Sequence, residues 1–438
     1  MFHKLNNALD HFFSLKKRGS NIKTEIIAGL SAYLSLAYIF IVNPAILSQA
    51  GINISAVMFA TVVASGLSTI LMGLWARLPF VLAPGLEMNS FFAFVVVGTL
   101  GLTWQQGLGV VFWSGVLCLI CTYIPLRQKI IDGIPHGLKV GIASCVGVFV
   151  FTIGLFLSGT VIFDKGLPTG MGDLLSAKAM TLYLGFALTI LFVRVLRIPI
   201  GFLLAIIIAA LFARYNGIKP TQIAEVSSAM FDATFKLDFG VIFKSLSAIS
   251  VLLILFLVEF YGSIAKFIGL TATTNLVDKD GNMINMKTAL GVDSVGAMGG
   301  ALVGTSNIII YVESAVGIAV GGRTGLTAVF AGILMLASIV FTPLVGLVPV
   351  EATAGVLCYV GYLLLPKFKD VGKSDIMITT VMGAAAFVTF GLDKAMLVGF
   401  IFYALQPFWK KQLKFNIYTI ASAFLLAAIV FARYYYEG

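Results

Sequence analysis

The sequence predicts an all-α polytopic membrane protein made of two inverted seven-segment repeats, each with a short broken strand–helix segment in third place. Three observations carry this reading. The 438-residue chain is 59% hydrophobic and 11% charged, with a mean hydropathy of +1.02, outside the range of soluble globular domains. Charge-poor runs long enough to cross a hydrocarbon core of roughly 30 Å recur throughout it. Two stretches, at 78–98 and 304–325, interrupt the helical pattern at equivalent points of the two halves.

Composition also excludes several classes. The net charge of +10 does not point to nucleic acid, because the basic residues stand between apolar spans, where they orient a membrane protein. Cys118, Cys121, Cys145 and Cys358 fall inside apolar spans and read as small buried residues. Three histidines without ligand spacing argue against a metal centre. No cofactor is expected, and no nucleophile cluster of the kind a membrane enzyme needs is visible. The N-terminus lacks a cleavable-signal pattern, since its first apolar span starts behind a basic segment and is too long for an h-region. The expected location is an inner or plasma membrane, crossed many times, with the N-terminus cytoplasmic.

In chain order, residues 1–21 form a basic, mildly amphipathic cytoplasmic arm. The first repeat, 22–214, holds spans at about 23–47, 55–75, the broken segment at 80–99, then 105–124, 137–158, 178–195 and 199–214. Small and hydroxyl residues stud the first span, which suits close helix packing. Residues 215–245 are polar and weakly periodic, and are expected to form a linking loop with one surface helix. The second repeat, 246–438, begins with a span at about 246–270, a polar hairpin at 278–282 and a glycine-rich span at 286–302. The broken segment, spans at 325–345 and 350–366, and two apolar runs within 374–408 follow. The terminal run, 416–434, is either a further span or an interfacial helix, so the total is fourteen or fifteen. Lys410, Lys411 and Lys414 favour an inner loop before it. The topology places residues near 18, 77, 127 and 196 on one side and those near 50, 102 and 165 on the other.

The two breaks hold the chemistry. In GTSNIIIYVESAVGIAVGGRTG (304–325) a β-branched run precedes Glu313, and a Gly-Gly pair and Arg323 follow. A strand over 307–310 and a half-helix carrying Tyr311, Glu313 and Ser314 account for that order. In LPFVLAPGLEMNSFFAFVVVG (78–98) an extended run ends at Pro84-Gly85 and a short aromatic helix follows. Interrupted spans of this kind let backbone groups and half-helix ends meet a solute at mid-membrane. Glu259 lies between Phe256 and Phe260 in the eighth span, with Ser263 one turn on and Lys266 seven residues on. Ionisable groups at such depth face a cavity or a partner. A packing role, such as capping a broken helix or pairing with Lys266, stands beside the functional reading of Glu313. Lys266 fits best in an ion pair with Glu259, beside headgroup snorkelling or a part in coupling. Glu87 reads equally as a headgroup-level anchor or a site residue. Phe91 and Phe92 read as lipid-facing or core side chains, or one of them as a stacking platform, with Tyr311 a second candidate.

Six blocks together raise the reading above this general level: TEIIAGLSAYLSLAYIFIVNPAIL (24–47), LAPGLEMNSFFAF (82–94), WQQGLGVVFWSG (104–115), IPHGLKVGIASCVGVF (134–149), GTSNIIIYVESAVGIAVGGRTGLTAV (304–329) and LVPVEATAGVLCYVG (347–361). Over essentially its whole length the chain resembles the AzgA-like purine permeases, a branch of the nucleobase–cation symporter superfamily that includes uracil and xanthine permeases. The resemblance implies a core domain and a gate domain, and a substrate held between segments 3 and 10 against segment 8. It implies import of a purine base such as adenine, guanine or hypoxanthine with protons as coupling ion, or of uracil or xanthine; a homodimer is compatible with it. Glu313 falls at the superfamily's base-contacting acid. Glu259 either binds the base or carries the coupling proton, with Lys266 and Glu87 as further coupling candidates. Asn89, Phe91, Phe92 and Tyr311 complete the implied site. The chain departs from the family where Glu87 adds an acid, where Gly262 replaces a second aspartate in segment 8, where Lys266 replaces a small or hydroxyl residue, and where Val320 replaces an acid. Among rival classes, a channel lacks its repeated polar filter, an anion exchanger would centre basic residues, and a purely structural membrane protein stays open.

Overall fold

Each apolar run becomes one segment, and the segment ends fall where caps and glycines place them. The computed structural model describes residues 9–124, 136–164, 167–220, 224–271, 276, 283–366, 371–372, 375–390, 392–405, 423–424 and 427. Segment 1 is Ile22–Leu36 and Ile39–Leu47, with Pro44 inside its second part. Segment 2 is Ile54–Leu71, running on as a wider π turn over Met72–Ala76. Segment 3 is strand β1, Leu82–Pro84, then the helix Leu86–Ser90 and a π turn Phe91–Val97. Segments 4 to 7 are Trp104–Tyr123, His136–Leu157, Ala177–Thr189 with Ile190–Val195, and Gly201–Tyr215. Between segments 5 and 6 lies a hairpin, β2 Val161–Asp164 and β3 Leu167–Met171.

The second half repeats the order. Segments 8 and 9 are Leu246–Thr271 and Met286–Val303. Segment 10 is strand β4, Ile308–Ile310, followed by Ser314–Val320. Segment 11 is Gly325–Ala337 with Ser338–Phe341 and Thr342–Val345. Segment 12 is Val350–Thr353 with Ala354–Leu364, and segments 13 and 14 are Ile376–Thr389 and Leu392–Leu405. Side-chain caps open segments 1, 2, 4 and 11: Asn21, Asn53, Thr103 and Thr324 each accept from a backbone N–H of the first turn. Among the described residues six helices are long and apolar enough to cross a membrane, and shorter apolar helices accompany them. The chain is a multi-pass membrane protein. The fourteenth segment is described as far as Leu405, and the terminal run at 416–434 lies almost wholly outside the described residues, as do the 278–282 hairpin and Lys410, Lys411 and Lys414.

Packing sorts the segments into two bundles. Segments 1, 2, 4, 8, 9 and 11 pack on one another around segments 3 and 10, while segments 5, 6, 7, 12, 13 and 14 form the second group. Small residues set the closest approaches within the first bundle. A Cβ on Gly325 would lie 1.9 Å from the Gly73 carbonyl oxygen, and one on Gly66 would lie 2.6 Å from Leu336 Cγ. Segments 2 and 11 therefore touch backbone to backbone, the usual route to tight packing where lipid supplies no hydrophobic drive. β1 and β4 pair antiparallel where segments 3 and 10 cross, with Leu82 opposite Ile310 and Pro84 opposite Ile308. Antiparallel pairing is what two inverted copies of one strand–helix unit produce.

Two regions between the segments add detail. Among its described residues the linking region, 215–245, holds two single 3-10 turns, Ser228–Phe231 and Val241–Phe243, within a loop. It is pinned by Phe235 N–H to the Leu302 carbonyl (2.7 Å) and Asp238 N–H to the Gln105 carbonyl (2.9 Å), so backbone pairing with segments 9 and 4 replaces internal helix bonds. The β2–β3 hairpin was not anticipated. Its strands are four and five residues long, shorter than most patterns that alternation can reveal. Of the topology markers, Arg18 donates to the Arg77 carbonyl at 2.6 Å and to the Arg323 carbonyl at 3.2 Å. The arm and the ends of segments 2 and 10 thus share one face. Arg127 and Lys165 lie outside the described residues.

Candidate functional site

The paired strands form the floor of the site. β-Branched Ile308–Ile310 is buried throughout, and the three-residue ladder ends with Gly85 N–H on the Asn307 carbonyl and Tyr311 N–H on the Val81 carbonyl, both at 3.0 Å. Segment 10 differs from expectation at its edges. The strand starts at Ile308, one residue later than predicted, and the half-helix begins at Ser314, so Tyr311 and Glu313 sit in the turn before it. Ser314 accounts for this: its hydroxyl donates to the Tyr311 carbonyl (2.7 Å) and accepts from Val81 N–H (3.0 Å), clamping the turn to segment 3.

Glu313 is buried, and its Oε1 accepts from the Tyr38 hydroxyl at 2.9 Å. Its Oε2 meets no hydrogen-bond partner among the described residues. A buried carboxylate oxygen left open is costly unless a ligand or proton completes it. Glu259, on segment 8, lies at the other flank of β4, where its Oε2 accepts from Asn307 Nδ2 at 2.5 Å. The same amide nitrogen lies 2.9 Å from Ser114 Oγ on segment 4. Beyond its own turn of helix, no heavy atom of the described residues stands within 4 Å of where a Cβ would sit on Gly262, the position that departs from an acid in segment 8.

Lys266 pairs with Glu87 at 3.0 Å, not with Glu259 as the sequence suggested. Seven residues of helix separate Glu259 and Lys266 by about 10.5 Å along the axis, whereas segment 3 crosses directly beside the lysine. The ammonium also stands 5.8 Å from the centre of the Tyr311 ring, within cation–π range. Glu87 is buried against its neighbours. Tyr311 directs its hydroxyl to the Pro84 carbonyl, so its ring lies across the strand crossing.

Asn89 is engaged on both sides of its amide. Its nitrogen donates to Asn43 Oδ1, and its oxygen accepts from Ser306. Asn43 in turn donates to Thr61 (2.7 Å) and Thr305 (3.0 Å), linking segments 1, 2, 3 and 10. Phe92 packs on segment 4 at Gly107, where any Cβ would strike its ring at 2.6 Å. Phe91 meets Phe149 of segment 5 edge-on at 6.4 Å. The structure therefore brings Glu87, Glu259, Lys266, Tyr311 and Glu313 around one strand crossing. Asn89 and Phe92 serve the walls, and Phe91 faces the second bundle.

Sequence reasoning missed four side chains. Tyr38 lies at the break between the two parts of segment 1, and a tyrosine in an apolar run gives no sign of a distant partner. Asn307 was taken as a strand residue, yet its side chain is the donor to Glu259. Asp293 on segment 9 is buried, accepts Ile310 N–H at 2.9 Å and holds Ser263; it is an acid within a glycine-rich span, a signal that was legible. Glu25 is fully buried and accepts from Arg323 N–H, Thr324 N–H, Thr327 N–H and the Thr327 hydroxyl. An acid in a first helical turn usually has no meaning beyond the helix dipole, which hides this one.

Comparison with known proteins agrees with the geometry. The Permease family (Xan_ur_permease) matches residues 23–392. The chain is 34% identical to the adenine permease AdeQ of Escherichia coli (strain K12) over 97% of both chains. It is 33% identical to the guanine/hypoxanthine permease PbuO of Bacillus subtilis (strain 168), covering 83% of this chain and 85% of that one. Among solved structures, the transmembrane domain of a cyanobacterial bicarbonate transporter, BicA, superposes with a TM-score of 0.65 at 13% identity, over 86% of this chain and 96% of that one. At that identity the likeness is one of fold, an inverted-repeat transporter architecture of core and gate bundles. With two strand–helix breaks paired at their crossing, buried carboxylates on both flanks and a family match over most of its length, the chain belongs to the Permease family of xanthine/uracil-type permeases.

Proposed function

We propose that this chain is a secondary active transporter that imports a purine nucleobase by proton symport, as a member of the AzgA-like branch. The observation that carries the proposal is the pair of carboxylates flanking β4, with Glu313 Oε2 left open beside Tyr311. A purine offers adjacent N–H donors on a flat ring. A carboxylate accepts such donors strongly when water is excluded. Tyr38 orients Glu313, and the Asn43–Asn89–Ser306 network holds the strand crossing in register. Glu87 neutralises Lys266, which suits a neutral base better than an anion. Relatives named for adenine and for guanine/hypoxanthine support purines as the substrate class.

Coupling needs a group whose protonation alternates between the two faces of the membrane. Glu259 suits this, because it sits on segment 8, outside the two broken segments, and accepts from Asn307 beside β4. We place the N-terminal arm in the cytoplasm, since Arg18, Arg77 and Arg323 gather at one end of the first bundle. The test is uptake of radiolabelled adenine and hypoxanthine into cells lacking their own purine permeases, with and without a protonophore. Protonophore-sensitive accumulation that unlabelled purines compete is expected. Inhibition by no base at all would overturn the reading.

A further inference from the structure

A cavity of about 810 Å³ opens between segment 7 on one side and segments 1 and 11 on the other. Its size falls within the roughly 300–1,000 Å³ of small-molecule sites, yet none of the residues at the strand crossing lines it. The walls are apolar: Phe40 from segment 1, Leu203, Ile207 and Leu211 from segment 7, and Phe341 and Leu344 from segment 11. The two hydroxyls in it, Tyr33 and Ser338, bond to each other at 2.8 Å, and Ser338 also bonds to the Leu334 carbonyl at 3.1 Å. A polar base would find little there to recognise it.

The one charged residue of the lining is Arg214, exposed in the last turn of segment 7, with one nitrogen 3.3 Å from the Leu347 carbonyl. From Leu203 to Arg214 the groove follows eleven residues of helix, about 16 Å, or half of a hydrocarbon core of roughly 30 Å. Tyr215 beside the arginine is 91% exposed, as aromatic residues at a membrane–water boundary are. The groove therefore has an apolar trough one leaflet long, with a guanidinium where a headgroup lies.

We propose that this groove is a binding site for one anionic phospholipid of the surrounding bilayer. Its acyl chain lies along segment 7 and its phosphate meets Arg214, whose planar donors match phosphate oxygens. Because the trough separates segment 7 from segments 1 and 11, the lipid fills the seam between the two bundles. The inference depends on the membrane placement alone and is independent of the transported substrate.

The full chain, reconstituted in phosphatidylcholine vesicles with a trace of phosphatidylglycerol carrying a diazirine on its acyl chain, tests this by photolabelling and peptide mapping. Adducts should concentrate on 203–211 and 338–348. Excess unlabelled phosphatidylglycerol should displace them and extra phosphatidylcholine should not. Arg214→Gln, on an exposed side chain, should lower labelling about fivefold, and Arg214→Lys should restore part of it. Ala210→Phe, which fills the trough from its buried wall, should abolish the adducts in protein that still elutes as a folded species. Labelling spread evenly over other bilayer-facing helices, equal competition by phosphatidylcholine, or unchanged labelling of Arg214→Gln would each overturn the site.

Discussion

Glu25 and Glu313 are both carboxylates shut inside apolar helices, yet their surroundings differ in kind. Glu25 accepts four hydrogen bonds from the start of segment 11 and its approach, three of them from backbone N–H groups. It is a cap supplied by a distant helix, and it supplies the orphan donors of segment 11 with their acceptor. Glu313 accepts one bond, from Tyr38, and keeps its other oxygen open. Burial of an acid is therefore not what marks a functional site in this protein. What separates the two carboxylates is the number of donors already committed to each.

The comparison can be broken first at Glu25. Replacing it with leucine leaves several buried donors without an acceptor, each worth about 1–3 kcal/mol, so Glu25→Leu should yield little or no folded protein by gel filtration. Recovery of a well-folded Glu25→Leu protein with a wild-type melting curve would show that water or rearrangement replaces the cap. Next in size is the Glu87–Lys266 pair. Lys266→Met alone leaves Glu87 buried without its partner and should cost on the order of 3–5 kcal/mol, while the double change Glu87→Gln with Lys266→Met should recover most of it. Thermal unfolding in one detergent measures both, and equal loss in the single and double variants would mean that the pair is not coupled.

The third effect tests the open oxygen. Glu313→Gln should weaken base binding by about ten- to a hundredfold, or 1.5–3 kcal/mol, with a melting temperature close to that of the parent. Calorimetry on purified protein reads the affinity, and a variant that loses stability but keeps affinity would place Glu313 with Glu25 as a cap. Glu259→Gln should change equilibrium binding less, yet remove the pH dependence of transport and the ability to concentrate substrate. Proton-driven uptake in vesicles decides this. Full coupling in a folded Glu259→Gln protein would move the proton site to Glu313 or Glu87. The smallest change is Gly262→Ala, where a methyl meets no atom of the described residues within 4 Å beyond its own turn of helix. It should shift stability by no more than about 0.5 kcal/mol, and any large fall in uptake would then report on substrate space beside Glu259.

Much of this protein was readable before any coordinates. Hydropathy located the segments that the described residues show, because a span must satisfy its own backbone bonds and so leaves a local signature. The β-branched run before Glu313 and the Pro84-Gly85 pair marked both breaks for the same local reason. Glu259, Glu313 and Glu87 stood out because a charge is rare at that depth. The partner of each was not readable. Lys266 looked closest to Glu259 along one helix, and only the crossing of segment 3 put Glu87 beside it. Asn89 stood out beside the break, but its partners Asn43 and Ser306 were not readable.

Sequence by itself thus determined which runs are apolar enough to enter the membrane, where the helices break and that Glu87, Glu259 and Glu313 stand within apolar segments, since hydropathy, turn chemistry and charge act over one or two helical turns. Tertiary structure alone decided who meets whom. Tyr38 with Glu313, Asn307 with Glu259 and Glu25 with Thr327 are separated by 275, 48 and 302 residues. Those pairings depend on how two inverted halves interlock, and no local pattern in the chain records the angle and depth at which they do.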